Sequence, residues 1–280
     1  MTKPVIQRYI SDEDSLLNIC TDFGFLIEKI KKFMFEYTLE IRHDYFNLYY
    51  QGNSIGKIVY YPSKRLYEIS INKKFLEEGI IKKFGGKSQK SYVFFDVPPK
   101  KLSSFFSDRN LKTFSQKVRD VNYQEELGFE QMLMTDNVCR DDFIIIDRQV
   151  VDHTSRDKFD LLALKKVEGS NFQFCILEVK LGNNPELKGD VSGQLKGYIK
   201  RIENNFEDYK KCYEINFEQK RQLGLFKEPE IISIVRGVIG VVVVGGYSGL
   251  AKESINELKS KDKEIKVLHF SNKIDFRNVK

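Results

Sequence analysis

The sequence predicts an α/β protein in two parts. Residues 1–115 read as an N-terminal basic α+β domain containing an antiparallel meander, and residues 116–280 as a mixed sheet flanked by helices. Three observations carry this. Apolar runs broken by Gly52-Asn53 and Pro62-Ser63 follow one another through residues 45–71, the pattern of strands joined by tight turns. From residue 123 onward, helical and strand-like segments alternate in the order α-β-β-β-α-β-α-β, which builds a mixed sheet with helices packed on it. The Val-rich run at 237–244 is typical of a strand covered on both faces.

In the first part, Phe25, Ile27, Ile30, Phe33 and Met34 recur at helical spacing and predict a helix over 25–40. Strands follow at 45–50, 57–61 and 66–71. The Gly-Gly-Lys-Ser-Gln-Lys loop at 85–90 leads to a strand at 92–97, which Pro98-Pro99 ends. A helix over 102–121 links the two parts, with the boundary near residue 115. In the second part a helix over 123–135 precedes strands at 143–149, 159–165 and 172–180. A loop containing Pro185 leads to a helix over 192–206 and a polar helical stretch that ends near 225. A strand at 237–244, a helix at 248–259 and a strand at 265–270 close the sequence.

The bulk numbers exclude several classes. With 41% hydrophobic and 31% charged residues among 280, the composition is that of a soluble globular protein. The apolar run at 238–244 is far short of the ~20 residues a membrane span needs, and the first residues lack the apolar stretch of a signal peptide. A cytoplasmic protein without membrane contact is expected. Cys20, Cys139, Cys175 and Cys212 form no CxxC pair and are expected as reduced thiols. His43, His153 and His269 are too scattered for a His-based phosphodiesterase motif. A net charge of +6 permits a polyanionic partner without demanding one.

The chemistry concentrates in FDLLALKKVEGSNFQFCILEVK, residues 159–180. Two runs rich in branched and aromatic residues read as adjacent buried strands, yet they carry charge. An unpaired buried carboxylate costs several kcal/mol or neutralises, so these charges need a use. The strand period of two puts Glu178 and Lys180 on one face, with Leu177 and Val179 on the other. Asp160 on the neighbouring strand completes a cluster of two carboxylates and one amine, the chemistry of a metal-dependent phosphodiesterase. Each residue also has a plainer reading: Glu178 and Lys180 as an exposed pair on an edge strand, Asp160 as a partner of Arg156, Gln194 as a surface amide.

Taken in order, Glu126 and Glu130 on a helix, Asp160 opening FDLLAL, Glu178-Val179-Lys180 and Gln194 on the next helix resemble the PD-(D/E)XK nuclease superfamily. The likeness spans about residues 123–270, and Phe159 stands where a Pro often precedes the Asp. It implies a restriction-endonuclease-like αβββαβ core and a Mg²⁺-dependent (or Mn²⁺-dependent) deoxyribonuclease. Asp160, Glu178 and the carbonyl of Val179 would be the metal ligands. Lys180 would orient or help deprotonate the attacking water, and Gln194 would hold the substrate backbone or the water. Glu126 is favoured as the helix carboxylate, with Glu130 as the alternative. Bacterial restriction, phage defence or DNA repair are the settings the resemblance implies, with a homodimer or a defence-system protein as candidate partners. The competing reading is a catalytically inactive module on the same fold that binds nucleic acid or protein.

Two further segments carry weaker signals. Residues 57–90 hold nine Lys or Arg against three Glu, with Tyr60, Tyr61, Tyr67, Phe75 and Phe84 interleaved. Lys73, Lys74, Lys82 and Lys83 are the expected nucleic-acid contacts, set against the plainer reading of a solvated Lys-rich face over an aromatic core. Gly245-Gly246-Tyr247-Ser248-Gly249 follows a strand and opens a helix, but fits no nucleotide-binding spacing and is expected to be a tight turn.

Overall fold

The computed structural model describes residues 4–33, 35–122, 124–138, 140–155 and 158–271. Compactness divides the chain into two units. Of the described residues, those within 6–139 and 211–231 form one, and those within 1–5, 140–210 and 232–280 form the other.

The first unit contains α1 (Glu13–Lys32), β1 (Tyr37–Ile41), β2 (Phe46–Tyr50), β3 (Asn53–Tyr61), β4 (Leu66–Asn72), α2 (Glu78–Phe84), β5 (Lys87–Gln89), β6 (Tyr92–Val97), α3 (Pro99–Phe105), α4 (Asp108–Asn122) and α5 (Glu125–Asp136). Its six strands pair antiparallel throughout, in the order β1-β2-β3-β4-β6-β5. Alternation sets the two faces of this sheet. Tyr67, Ile69 and Ile71 on β4, and Val93, Phe95 and Val97 on β6, are buried, while the residues between them are partly or fully exposed. Phe23 of α1 packs on the buried face, its ring 4.9 Å from Phe46 and 5.1 Å from Tyr67, both edge-on.

The structure corrects the first helix at both ends. It starts at Glu13 because the Asp12 carboxylate accepts the Ser15 N–H at 2.9 Å, and it stops at Lys32. Residues 37–40, expected inside that helix, belong instead to β1, which pairs with β2 from Tyr37↔Tyr50 to Ile41↔Phe46. The linking helix expected over 102–121 is two helices, because Asn110 Nδ2 donates to the Phe105 carbonyl at 2.8 Å and closes the end of α3. The compact division at 139/140 falls later than the sequence boundary near 115. Leu111, Phe114 and Val118 of α4 belong to the first unit's core, and Gln131 Nε2 of α5 donates to the Phe35 carbonyl at 3.0 Å.

The second unit holds β7 (Phe143–Val150), β8 (Phe159–Glu168), β9 (Asn171–Leu181), α6 (Val191–Asn204), the start of α7 (Phe206–Gln222), β10 (Ser233–Gly245), α8 (Ser248–Lys261) and β11 (Lys266–Phe270). Strand order is β11-β10-β9-β8-β7. The strands β7, β8 and β9 form an antiparallel meander, and β10 and β11 run parallel to β9. A mixed sheet flanked by helices is therefore present, as the alternation of elements predicts. β8 and β9 are buried on both faces, with Leu161, Leu162, Ala163, Phe174, Ile176 and Val179 fully covered. Burying each large apolar side chain contributes about 1.5–3 kcal/mol. Among the described residues no helix is long and apolar enough to cross a membrane.

Candidate functional site

The β8–β9 ladder ends at Leu161↔Leu177. One residue further, still within β8, Asp160 Oδ2 accepts the Val179 N–H at 2.9 Å. The same register sets Asp160 opposite Glu178. On β9 the two-residue period puts Ile176, Glu178 and Lys180 on one face. Glu178 is 3% exposed and Lys180 6%. Buried to this degree, they are not the exposed pair that an edge strand would carry. Lys180 Nζ stands 2.9 Å from Glu178 Oε1 and 3.0 Å from Glu186 Oε2.

Burial alone would lower the Lys180 pKa. The charge and hydrogen bond of Glu178, with the charge of Asp160 and the hydrogen bond of Glu186, outweigh it and raise the ammonium above its usual range. Lys180 is therefore a cation at neutral pH. Glu186 was not legible as a site residue, since it reaches Lys180 from a 3-10 turn at Pro185–Lys188 rather than from a strand.

Helix α6 covers the sheet face that carries Glu178 and Lys180. Gly240 pairs with Ile176, and a Cβ there would lie 2.7 Å from Leu195 Cγ and 2.8 Å from Ile199 Cδ1, both on α6. The first turn of α6 is fastened by Asp262, whose Oδ2 accepts from Lys196 Nζ at 2.6 Å and Ser192 Oγ at 2.5 Å. The Lys196 and Ser192 hydrogen bonds pull the Asp262 carboxyl down to about 2. A depressed pKa stabilises the fold above the unfolded value of ~3.9 and is lost as pH falls through the folded value. NMR titration of the Asp262 carboxyl carbon is expected to show a midpoint near 2, and Lys196→Met should move it up toward ~3.9. Gln194 sits half-buried in this first turn, with its main-chain N–H on Asp190. Its amide forms no hydrogen bond to Asp160, Glu178 or Lys180.

The end of β9 is held by close packing. Gly182 N–H donates to the Gly245 carbonyl at 2.9 Å, and a Cβ on Gly182 would lie 2.5 Å from the Gly246 carbonyl oxygen and 2.7 Å from Ala251 Cβ. Gly182→Ala is expected to destabilise the protein by about 1–3 kcal/mol, because backbone must move to admit the methyl. Urea unfolding measures it, and an unchanged midpoint would refute this packing. The Gly245–Gly249 segment makes a tight turn, with Tyr247 left-handed at φ 44° as it enters α8.

The remaining expected residues divide between places. Glu126 and Glu130 are both on α5, in the other compact unit; Glu130 is 1% exposed and Glu126 half-buried. Lys73 and Lys74 lie in a 3-10 turn after β4, and Lys82 and Lys83 in the last turn of α2, all four exposed. They form two groups. Lys74 borders a groove on the sheet, whereas Lys82 and Lys83 line a smaller pocket with Asp96 and Lys101. Sequence reasoning also passed over Asp147 and Arg148, fully buried in β7. A bulge between Ile145 and Asp147 sets Asp147 against Leu162, on the face of Glu178. Two adjacent charges inside IIIDRQV were the available signal. Cys20, Cys175 and Cys212 are in no disulfide among the described residues, while Cys139 and Arg156 lie outside them.

The donor set fits a hard divalent cation. Asp160 and Glu178 offer carboxylate oxygens from facing positions. Regular strand geometry sends the C=O of a residue out on the same edge as its N–H, which for Val179 is the Asp160 edge. Mg²⁺ is satisfied by one or two carboxylates plus waters and substrate oxygens. Among the described residues no group of three or more His, Cys, Asp and Glu side chains is gathered to hold a metal. An ion at this site would depend on water and substrate to complete its shell. No protein-family model, no curated protein and no solved structure matches the chain.

Proposed function

We propose that the protein is a Mg²⁺- or Mn²⁺-dependent nuclease that hydrolyses phosphodiester bonds, with DNA the favoured substrate. The observation that carries this reading is the meeting of Asp160, Glu178 and the buried cation Lys180 where the β8–β9 ladder ends. The β7–β8–β9 meander followed by a helix and the parallel strand β10 agrees with the αβββαβ core that the sequence resembles.

Asp160, Glu178 and the Val179 carbonyl would hold the ion, which supplies Lewis-acid polarisation of the phosphate and a more acidic water. The chain's own part is positioning and charge. Asp160 is fixed in place by the Val179 N–H, so its carboxylate is preorganised. Lys180, kept protonated by Glu178 and Glu186, is suited to orient the attacking water and to stabilise negative charge growing on the phosphoryl oxygens. In the net reaction, water oxygen bonds to phosphorus and the bond to the leaving oxygen breaks. That oxygen takes up a proton, and the second proton of water is released to solvent.

Incubation of supercoiled plasmid and single-stranded oligonucleotides with Mg²⁺, Mn²⁺ or EDTA tests the reading. Cleavage with metal and none with EDTA is expected. Cleavage that survives EDTA would overturn the metal-dependent mechanism. Binding without cleavage under all three conditions would favour the inactive module, for which the closed Lys180–Glu178 pair is the supporting observation.

A further inference from the structure

The exposed face of the six-stranded sheet carries a built groove. Asn47, Lys57, Ser70 and Phe94 stand in one cross-strand row on β2, β3, β4 and β6, and Asn72 is opposite Tyr92 in a parallel row. These rows border a groove of about 550 Å³ that also takes in Asn53, Lys74 and Asn122. No acidic residue lines it.

Three kinds of group meet there. Tyr92, 47% exposed, and the half-buried Phe94 lie two apart on β6 and so share the open face. Lysines stand at two positions: Lys57 Nζ lies 4.0 Å above the Tyr45 ring, and Lys74 Nζ bonds Asn122 Oδ1 at 2.7 Å. Asn122 in turn donates to Asn53 Oδ1. The third kind is an acceptor in search of a donor. Asn47 Nδ2 reaches Tyr49 OH at 3.3 Å, but Asn47 Oδ1 is buried and accepts no hydrogen bond. A buried acceptor in this state is costly, and it belongs to a residue that lines the groove.

We propose that this groove binds an unpaired nucleotide of single-stranded nucleic acid, with the base on the Tyr92–Phe94 face and the phosphates on Lys57 and Lys74. Aromatic side chains on an open sheet face stack unpaired bases, and lysines at the rim neutralise the backbone. A duplex keeps its bases stacked inside and offers the groove only phosphates. The volume lies within the range of small-ligand clefts. Amides without neighbouring carboxylates suit the mixed donors and acceptors of a base edge. This inference rests on the nuclease reading for its choice of a nucleic-acid ligand.

The test is fluorescence anisotropy on the full chain carrying Asp160→Asn, in EDTA, so that binding is read whether or not the protein cleaves. The probes are a labelled single-stranded DNA of about 12 nucleotides, its RNA counterpart and the matching duplex. Single strand is expected to bind at least about tenfold more tightly than duplex, and Tyr92→Ala to weaken it about tenfold while Tyr92→Phe does not. Lys74→Ala should lower the slope of log K against log salt by about 0.7 for single strand. Tyr92 is a surface residue, and an unchanged melting temperature confirms that the variant is folded. Equal affinity for duplex and single strand, or full affinity in Tyr92→Ala, would overturn the proposal. So would failure of every nucleic-acid probe to bind, which would leave the groove to a protein partner. A wild-type protein that cleaves nothing with Mg²⁺ or Mn²⁺, while the Asp160→Asn chain binds single strand through Tyr92, would refute the nuclease reading and leave this one standing.

Discussion

Lys180→Met is expected to lower the cleavage rate about 10²–10³-fold, the range found when one group that stabilises transition-state charge is removed. The same substitution removes the Lys180 cation 2.9 Å from the buried Glu178 carboxylate. Removing one partner of a buried pair costs about 3–5 kcal/mol when burial is complete, and less here, where Glu186 shows one side to be open. The two effects separate in a thermal scan. Mg²⁺ or Mn²⁺ should raise the Tm of Lys180→Met more than that of the wild type, since a divalent cation would answer the charge that the substitution leaves. The double variant Glu178→Gln/Lys180→Met should regain stability but no activity. Wild-type cleavage in Lys180→Met would remove Lys180 from the mechanism.

The second large effect lies in the other unit. Lys220 Nζ stands 2.6 Å from Glu40 Oε2, and both side chains are 3% exposed. Lys220→Met would strand the Glu40 carboxylate in the core, which costs about 3–5 kcal/mol and lowers Tm by roughly 10 °C in a unit of this size. Replacing both partners by apolar residues of similar volume, as in Glu40→Leu/Lys220→Met, should recover most of the loss. Calorimetry decides it. A single variant as stable as the wild type would mean that the pair is hydrated rather than buried.

These two pairs also mark what the sequence could disclose. The face shared by Glu178 and Lys180 follows from the strand period alone, and the apolar residues around them on β9 signal burial. Glu186 and Asp147 were hidden because one arrives through a turn and the other is turned onto its face by a bulge. Glu40 and Lys220 lie far apart in sequence, so no local period joins them. The same holds for the row Asn47–Lys57–Ser70–Phe94, which exists only once three registers are set. β1 was absorbed into a helix because Tyr-Thr-Leu-Glu follows an apolar helical period without a break such as Pro or Gly. For Glu126 and Glu130, helical spacing placed both on one side of α5 without separating them, and burial now distinguishes Glu130.

The central claim is that Asp160 and Glu178 form a divalent-metal centre, and Mn²⁺ binding followed by electron paramagnetic resonance tests it without reference to cleavage. The wild-type protein is expected to take up Mn²⁺ at one saturable site that Mg²⁺ competes for, and Asp160→Asn and Glu178→Gln should each abolish it. Saturable Mn²⁺ binding that persists unchanged in both variants would place the metal elsewhere and contradict the account.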